Sequence, residues 1–183
     1  PSSTTQPPAN PNSQTTPSST ATPKPEISGS RIYVDCPKRT QFEPANGQYQ
    51  NSWCGPTALA MVYEYYGRKE TTKQIASRIY VKGSGTSASS ICSDAKKNGF
   101  PGSYLKESAN IDFLKAQLKE GKPVIVNVDV NWKNGHHMVV VGFDGDKIIV
   151  NDPGRSVIRR EFDVSWFVAQ WNGRDRRCVV VQK

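Results

Sequence analysis

The chain has 183 residues, a formal net charge of +8 and 36% hydrophobic residues, which is one domain's worth of sequence with room for a tail. Its longest apolar runs, at 123–130 and 138–143, are strand-length, far below the roughly 20 residues of a membrane helix, so a soluble protein is expected. The positive charge favours anionic partners such as acidic cell-wall polymers, but the groupings Arg155/Arg159/Arg160 and Arg174/Arg176/Arg177 sit in no nucleic-acid module, which argues against nucleic acid. Cys36, Cys54, Cys92 and Cys178 lack C-x-x-C spacing, so zinc is not expected, nor any other metal or cofactor.

Residues 1–30 are almost entirely Pro, Ser, Thr, Asn and Gln, with Ile27 the one large apolar side chain. Such a segment buries too little surface to offset its ordering entropy, and it reads as a disordered tether of the kind common in exported proteins. The start at Pro1, without Met or a charged-then-apolar segment, reads as a trimmed chain with any targeting peptide outside it. A secreted or cell-surface location is therefore expected, with a folded domain over 31–183.

In that domain RIYVDC at 31–36 suggests a short strand. Ala58, Met61, Val62 and Tyr65 recur at i, i+3, i+4 and i+7 and predict a helix over 54–66, with Pro56 in its first turn and Gly67 as its stop. Further helices are predicted at about 72–80 after Thr71 or Thr72, at 87–97 after Thr86, and at 111–120 after Asn110. From Pro123 the pattern turns to strands, at 123–130, 137–143, 147–151, 157–162 and 177–182, with Asp144-Gly145 as a hairpin signal and a short helix at 163–170. Helices first and antiparallel strands later is the α+β class, a helical layer packed on a sheet or half-barrel.

QYQNSWCGPT at 48–57 puts Cys54 in the first turn of the first helix, where unpaired N–H groups and the positive end of the dipole stabilise a thiolate. A nucleophilic thiol needs a base. The only histidines, His136 and His137, stand together at the mouth of a strand in GHHMVVVGFDGDKIIVNDP, and Asp152 ends the next strand of that hairpin, where it can orient an imidazole. Adjacent strand residues face opposite sides, so one histidine only is expected to point at Cys54.

The order Gln, Cys-Gly, Gly-His, Asp on this topology resembles the papain-like cysteine peptidases. The phrases SWCGPTALAMVYEYYG and GHHMVVVGFDGDKIIVNDP are most similar to the branch related to bacteriocin-processing, double-glycine-leader peptidases. The resemblance covers about 31–182 and implies a papain-like fold, with an N-terminal helical layer on a C-terminal antiparallel sheet. It implies Cys54 as nucleophile and His136 as base, five residues separating His136 from Gly142 as in the family's strand. It implies Asp152 as orienting residue and Gln48, six residues before Cys54, as oxyanion-hole glutamine, with Gln50 and His137 as competitors. The implied substrate is a peptide or protein. The chain shows no transporter segment, so leader processing coupled to export is not expected of it.

Two other readings stay open at this point. The same thiol chemistry could serve a cell-wall peptide hydrolase or an acyl transferase, which the basic charge and the tether favour. A non-catalytic binding module on the same scaffold is the third. If Cys54 is the nucleophile, the other cysteines allow one disulfide, with Cys36–Cys178 one pairing.

Overall fold

The computed structural model describes residues 23–47, 50–129 and 135–183. Among the described residues five α-helices and eight strands fall in two blocks: β1 (Glu26–Ser28), β2 (Arg31–Tyr33), α1 (Cys54–Tyr65), α2 (Thr72–Ile79), α3 (Ala88–Lys97), β3 (Tyr104–Lys106) and α4 (Ile111–Lys119) come first. Then follow β4 (Val124–Val128), β5 (His136–Asp144), β6 (Lys147–Asn151), β7 (Arg159–Asp163), α5 (Val164–Asn172) and β8 (Cys178–Val180). The α+β class and the order of its blocks agree with the sequence reading.

All strand pairs are antiparallel, and β5 is the spine. One edge of β5 pairs with β4 through His136–Val140 and then with β2 through Gly142–Phe143; the other pairs with β6 across a bulge between Val140 and Gly142. β7 continues from β6, while β8 and β3 extend the sheet beyond β4. A bulge increases local twist, and a strand whose one edge serves two partners in succession curls the sheet into an open half-barrel. The Asp144↔Lys147 pair closes the β5–β6 hairpin, with Gly145 at φ +56°.

α1 differs from the amphipathic helix its spacing predicts, because Gly55 through Tyr63 are all buried. It runs between β5 on one side and α2 and α3 on the other, and a helix packed on both sides has no solvent face to keep polar. Ala58, Leu59, Ala60, Met61 and Val62 meet Val139, Val140, Val141 and Phe143 in one core. Such burial stabilises by about 1.5–3 kcal/mol per large aliphatic side chain. Thr71 caps α2 in a reciprocal box with Gln74, and Asn110 caps α4. For α3 the cap is Ser87, whose hydroxyl accepts from the Ser90 N–H, and not Thr86.

Two strands escaped the sequence reading. β1 and β3 have three residues each, too few to display alternation. β1 moves the domain boundary, because Glu26–Ser28 pairs with β2 across a Gly29 turn, and Tyr65 Oη sits 2.9 Å from the Pro23 carbonyl and 2.8 Å from that of Gly121. The last residues assigned to a tether over 1–30 are thus part of the folded domain, and residues 1–22 lie outside the described ones. All four cysteines are free, so the Cys36–Cys178 bridge is not formed. Cys36 instead directs its thiol to the Met61 carbonyl at 3.6 Å, and Cys178 is buried in β8 between β4 and β3.

Candidate active site

Cys54 is the first residue of α1, and Trp53, at the cap position, offers no side-chain acceptor. The N–H groups of Cys54 and Gly55 have no carbonyl within the helix to bond, and Pro56 has no N–H to satisfy, so the helix start is left as an anion-stabilising end. Gly55 is required there by contact: a Cβ would sit 2.8 Å from Cβ of Thr86. The cleft over Cys54 has a volume of about 320 Å³ and is walled by Asn51 and Ser52, the Gly83–Thr86 turn, and Gly135 with the two histidines. Trp53 faces the other way, its ring edge-on to Tyr80 at 6.2 Å beside Ala76 and Lys73, so it packs behind the cleft.

The sheet half of the site follows from register. β5 opens on His136, and its hairpin with β6 pairs Val139 with Asn151, which carries Asp152 back beside His136. The Nε2–H of His136 donates to Oδ1 of Asp152 at 2.7 Å. That leaves Nδ1 for Cys54, within whose hydrogen-bonding reach the ring also lies. Asp152 is itself held from two further sides: Arg160 on β7 donates to Oδ2 at 2.8 Å, and the Gly154 N–H donates to Oδ1 at 2.9 Å. Gly154 is a second contact-driven glycine, since a Cβ would lie 2.8 Å from Cε1 of His136.

Electrostatics separate Cys54 from the other thiols. Burial pushes Cys36 far up, Cys178 up to about 12 and Cys92 up as well. Burial works against the Cys54 thiolate too, but hydrogen bonds from His136 and His137 outweigh it and hold that thiol well below its ordinary value. The reciprocal effect appears at His136, where burial lowers the pKa but bonds to Asp152 and Cys54 push it up to about 9. Asp152, despite burial, is held below its ordinary value by His136, Arg160 and the Gly154 N–H. The arrangement favours a thiolate beside an imidazolium, able to attack a carbonyl and then return a proton to a leaving amine.

The structure therefore brings Cys54, His136 and Asp152 together. Gln48 lies outside the described residues, as does the side chain of Gln50. The expectation that only one histidine could face Cys54 does not hold: Nδ1 of His137 lies 3.9 Å from its Sγ while His136 also reaches it. Alternation fixes where Cβ points, yet Cys54 sits over the end of β5, where two successive imidazoles can converge. Sequence reading missed Arg160 and Gly154. Arg160 was legible in principle, because the β6–β7 pairing sets Val150 opposite Arg160 and so places that guanidinium beside residue 152. Among the described residues no group of three or more His, Cys, Asp or Glu side chains is arranged to hold a metal, and no helix is long and apolar enough to cross a membrane.

A thiol at the start of a buried helix, facing an imidazole and carboxylate on a curled antiparallel sheet, defines a papain-like cysteine peptidase. Residues 35–179 match the Peptidase_C39 like family, and the chain belongs to that family. It is 30% identical over 123 residues to a lactococcin transport/processing ATP-binding protein, LcnC-like, of Lactococcus lactis, covering 66% of this chain and 16% of that protein. The chain thus spans about 16% of the length of the curated relatives it matches. Among solved structures, a C39-like chain from Bacillus anthracis superposes with a TM-score of 0.70 at 16% identity, covering 85% of this chain and 98% of that one. A double glycine motif protease from an AMS/PCAT transporter, in complex with the leader peptide, superposes with a TM-score of 0.63 at 24% identity, covering 87% and 99%.

Proposed function

We propose that the chain hydrolyses peptide bonds with Cys54 as nucleophile, His136 as base and then acid, and Asp152 as the group that orients His136. The observation that carries this reading is the continuous line of contacts from Sγ of Cys54 through the His136 ring to Asp152. The Cys54 thiolate attacks the scissile carbonyl, and the oxyanion that forms is held by the Cys54 N–H and the Gln48 amide, each such donor contributing on the order of 3 kcal/mol. The C–N bond breaks as His136 gives its proton to the leaving amine, and water, deprotonated by His136, then releases the acyl group.

Gly83, Gly85 and Gly135 put no side chain in the cleft wall, which lets a substrate backbone lie close beside Cys54 and supports a substrate with small residues at the cut bond. The likeness to a double glycine motif protease points to the same class, a peptide cut after two glycines. Export is supported by the Ser/Thr/Pro-rich residues 1–30, and the net charge of +8 supports work beside anionic polymers. Cleavage of a peptide library ending its acyl side in Gly-Gly, Ala-Gly or Leu-Leu, read by mass spectrometry, tests the reading. Cutting after Gly-Gly, abolished in Cys54→Ala by a factor on the order of 10⁴ or more, is expected. Turnover that survives in Cys54→Ala would end it, and release of cell-wall stem peptides with no library cleavage would move the substrate to the cell wall.

A further inference from the structure

His137 has no assigned role in the mechanism above, although its position is that of a working group. It is 4% exposed, and its Nδ1 points at Sγ of Cys54 from 3.9 Å. Among the described residues its Nε2 is buried with no hydrogen-bond partner. The ring beside it is wired differently, since Nε2 of His136 is bonded to the Asp152 carboxylate. The two imidazoles thus meet one sulfur, but only one of them has a carboxylate behind it.

That asymmetry fixes which nitrogen of His137 bears a proton. An N–H buried without an acceptor costs more than a lone pair buried without a donor. With nothing to accept from Nε2, the uncharged ring keeps its proton on Nδ1, facing the sulfur. In this tautomer His137 has no free lone pair toward Cys54 and cannot take its proton, whereas His136, donating through Nε2–H to Asp152, presents a lone pair on Nδ1.

We propose that His137 is a dedicated hydrogen-bond donor to the Cys54 thiolate, leaving His136 as the base. The proposal rests on the peptidase reading of the site and adds a division of labour to it. When the thiol gives its proton to His136, the charge left on sulfur is met by Nδ1–H of His137. When the acyl group is transferred, the sulfur becomes a neutral thioester and that bond weakens. In the second half-reaction His136 takes a proton from water, the hydroxide oxygen bonds to the acyl carbon, and the C–S electron pair returns to sulfur, where Nδ1–H of His137 again receives the charge. The donor therefore assists the sulfur both as attacking group and as leaving group.

The test is the pH dependence of Cys54 alkylation by iodoacetamide, read by mass spectrometry on the intact chain, beside the peptide-cleavage profile. His137→Phe keeps a flat ring of similar size on the strand but has no donor. His137→Asn places an amide N–H near the position of Nδ1, and His137→Gln carries its amide one bond further, away from that position. The apparent thiol pKa is expected to rise by about one unit, a tenfold loss of thiolate at a fixed pH below it, in His137→Phe and His137→Gln, and to return toward the parent value in His137→Asn. The alkaline limb of the cleavage profile, which belongs to His136, is expected to stay in place. If His137→Phe does not fold, the Gln and Asn variants carry the comparison. An alkylation pKa that is the same in all variants would overturn the proposal, as would an equal rise in Asn and Gln. An alkylation shift of the expected pattern in a protein that cleaves no peptide would keep the inference about His137 and remove the peptidase reading.

Discussion

Cys54 and His136 enter the cleft from two regions supported in opposite ways. On the helix side, Cys54 has no side chain fixing it from behind; its placement comes from burial of α1 against β5 and from an uncapped helix start. On the sheet side, the Asp152 carboxylate accepts from His136, Arg160 and the Gly154 N–H, and Asn151 next to it is tied to the carbonyls of Cys36 and Pro37 at 3.1 Å. The nucleophile depends on packing and a dipole, which are diffuse, and the base depends on a chain of directed bonds. Single polar substitutions should therefore damage the sheet half more sharply than the helix half.

The largest effect is expected from cutting the directed chain at Asp152. Asp152→Asn keeps the shape but loses the negative charge, and turnover should fall about a hundredfold to a thousandfold. The pH profile carries the more specific signature. Burial depresses the imidazolium of His136, and it is the bond to Asp152, with that to Cys54, that pushes its pKa up to about 9 from 6.5. A raised base contributes stability that is fully present below pH 6.5 and is lost as pH rises through about 9. Asp152, held below its ordinary 3.8, contributes stability present above that value and lost as pH falls below it. The alkaline limb of activity should thus move to lower pH in Asp152→Asn. The melting-temperature gap from the parent should be widest between about pH 4 and 6.5 and narrow as pH rises through about 9, where the part due to His136 is lost and the bonds from Arg160 and Gly154 to the carboxylate remain. An unmoved alkaline limb would mean that Asp152 does not tune His136.

The same substitution made once in each half sharpens the contrast. Gly154→Ala drives a methyl into Cε1 of His136, and Gly55→Ala drives one into Thr86 on the cleft wall, each at 2.8 Å. Such overpacking costs about 1–3 kcal/mol of stability in either place, and at Gly55 it overrides the roughly 1 kcal/mol by which alanine would otherwise favour a helix. Their kinetics should part. Displacing the ring by a fraction of an ångström in Gly154→Ala should lower kcat roughly ten- to a hundredfold with little change in KM. Gly55→Ala, which moves the wall before it moves the base, should act mainly on KM. Steady-state kinetics on one Gly-Gly peptide separates them, and equal kcat losses would erase the distinction between the halves.

The two halves also differed in how far they could be read before the structure. The strands around β5, the Asp144-Gly145 turn and the start of α1 were legible because alternation, hairpin chemistry and helix starts are local patterns. With β5 and β6 paired, the meeting of His136 and Asp152 followed from register. What was not legible depended on contacts between distant segments. The burial of α1 from Gly55 through Tyr63 requires knowing that it is covered on both sides, the pairing of β1 with β2 is too short to announce itself, and the convergence of His137 on Cys54 depends on where α1 starts over the sheet. The cysteines show the same limit, since counting them allowed a bridge between Cys36 and Cys178, whereas in the structure both are free thiols.

The smallest effect is expected at Arg160, and it bears most directly on how redundant the sheet half is. Its guanidinium donates to Oδ2 of Asp152 at 2.8 Å and stacks over the Phe162 ring at 4.6 Å, but about a third of the side chain is open to solvent. Solvent screening weakens what such a charge contributes, and Asp152 keeps its other two donors when it is lost. Arg160→Gln, which retains an amide donor, should lower kcat/KM about two- to fivefold and shift the alkaline limb in the same direction as Asp152→Asn but by a smaller amount. Agreement in direction with a graded size would show that Arg160 acts through Asp152 on His136. A loss as large as that of Asp152→Asn would mean that Arg160 is the main anchor of the carboxylate, and the sheet half would then be as dependent on one contact as the helix half is on its packing.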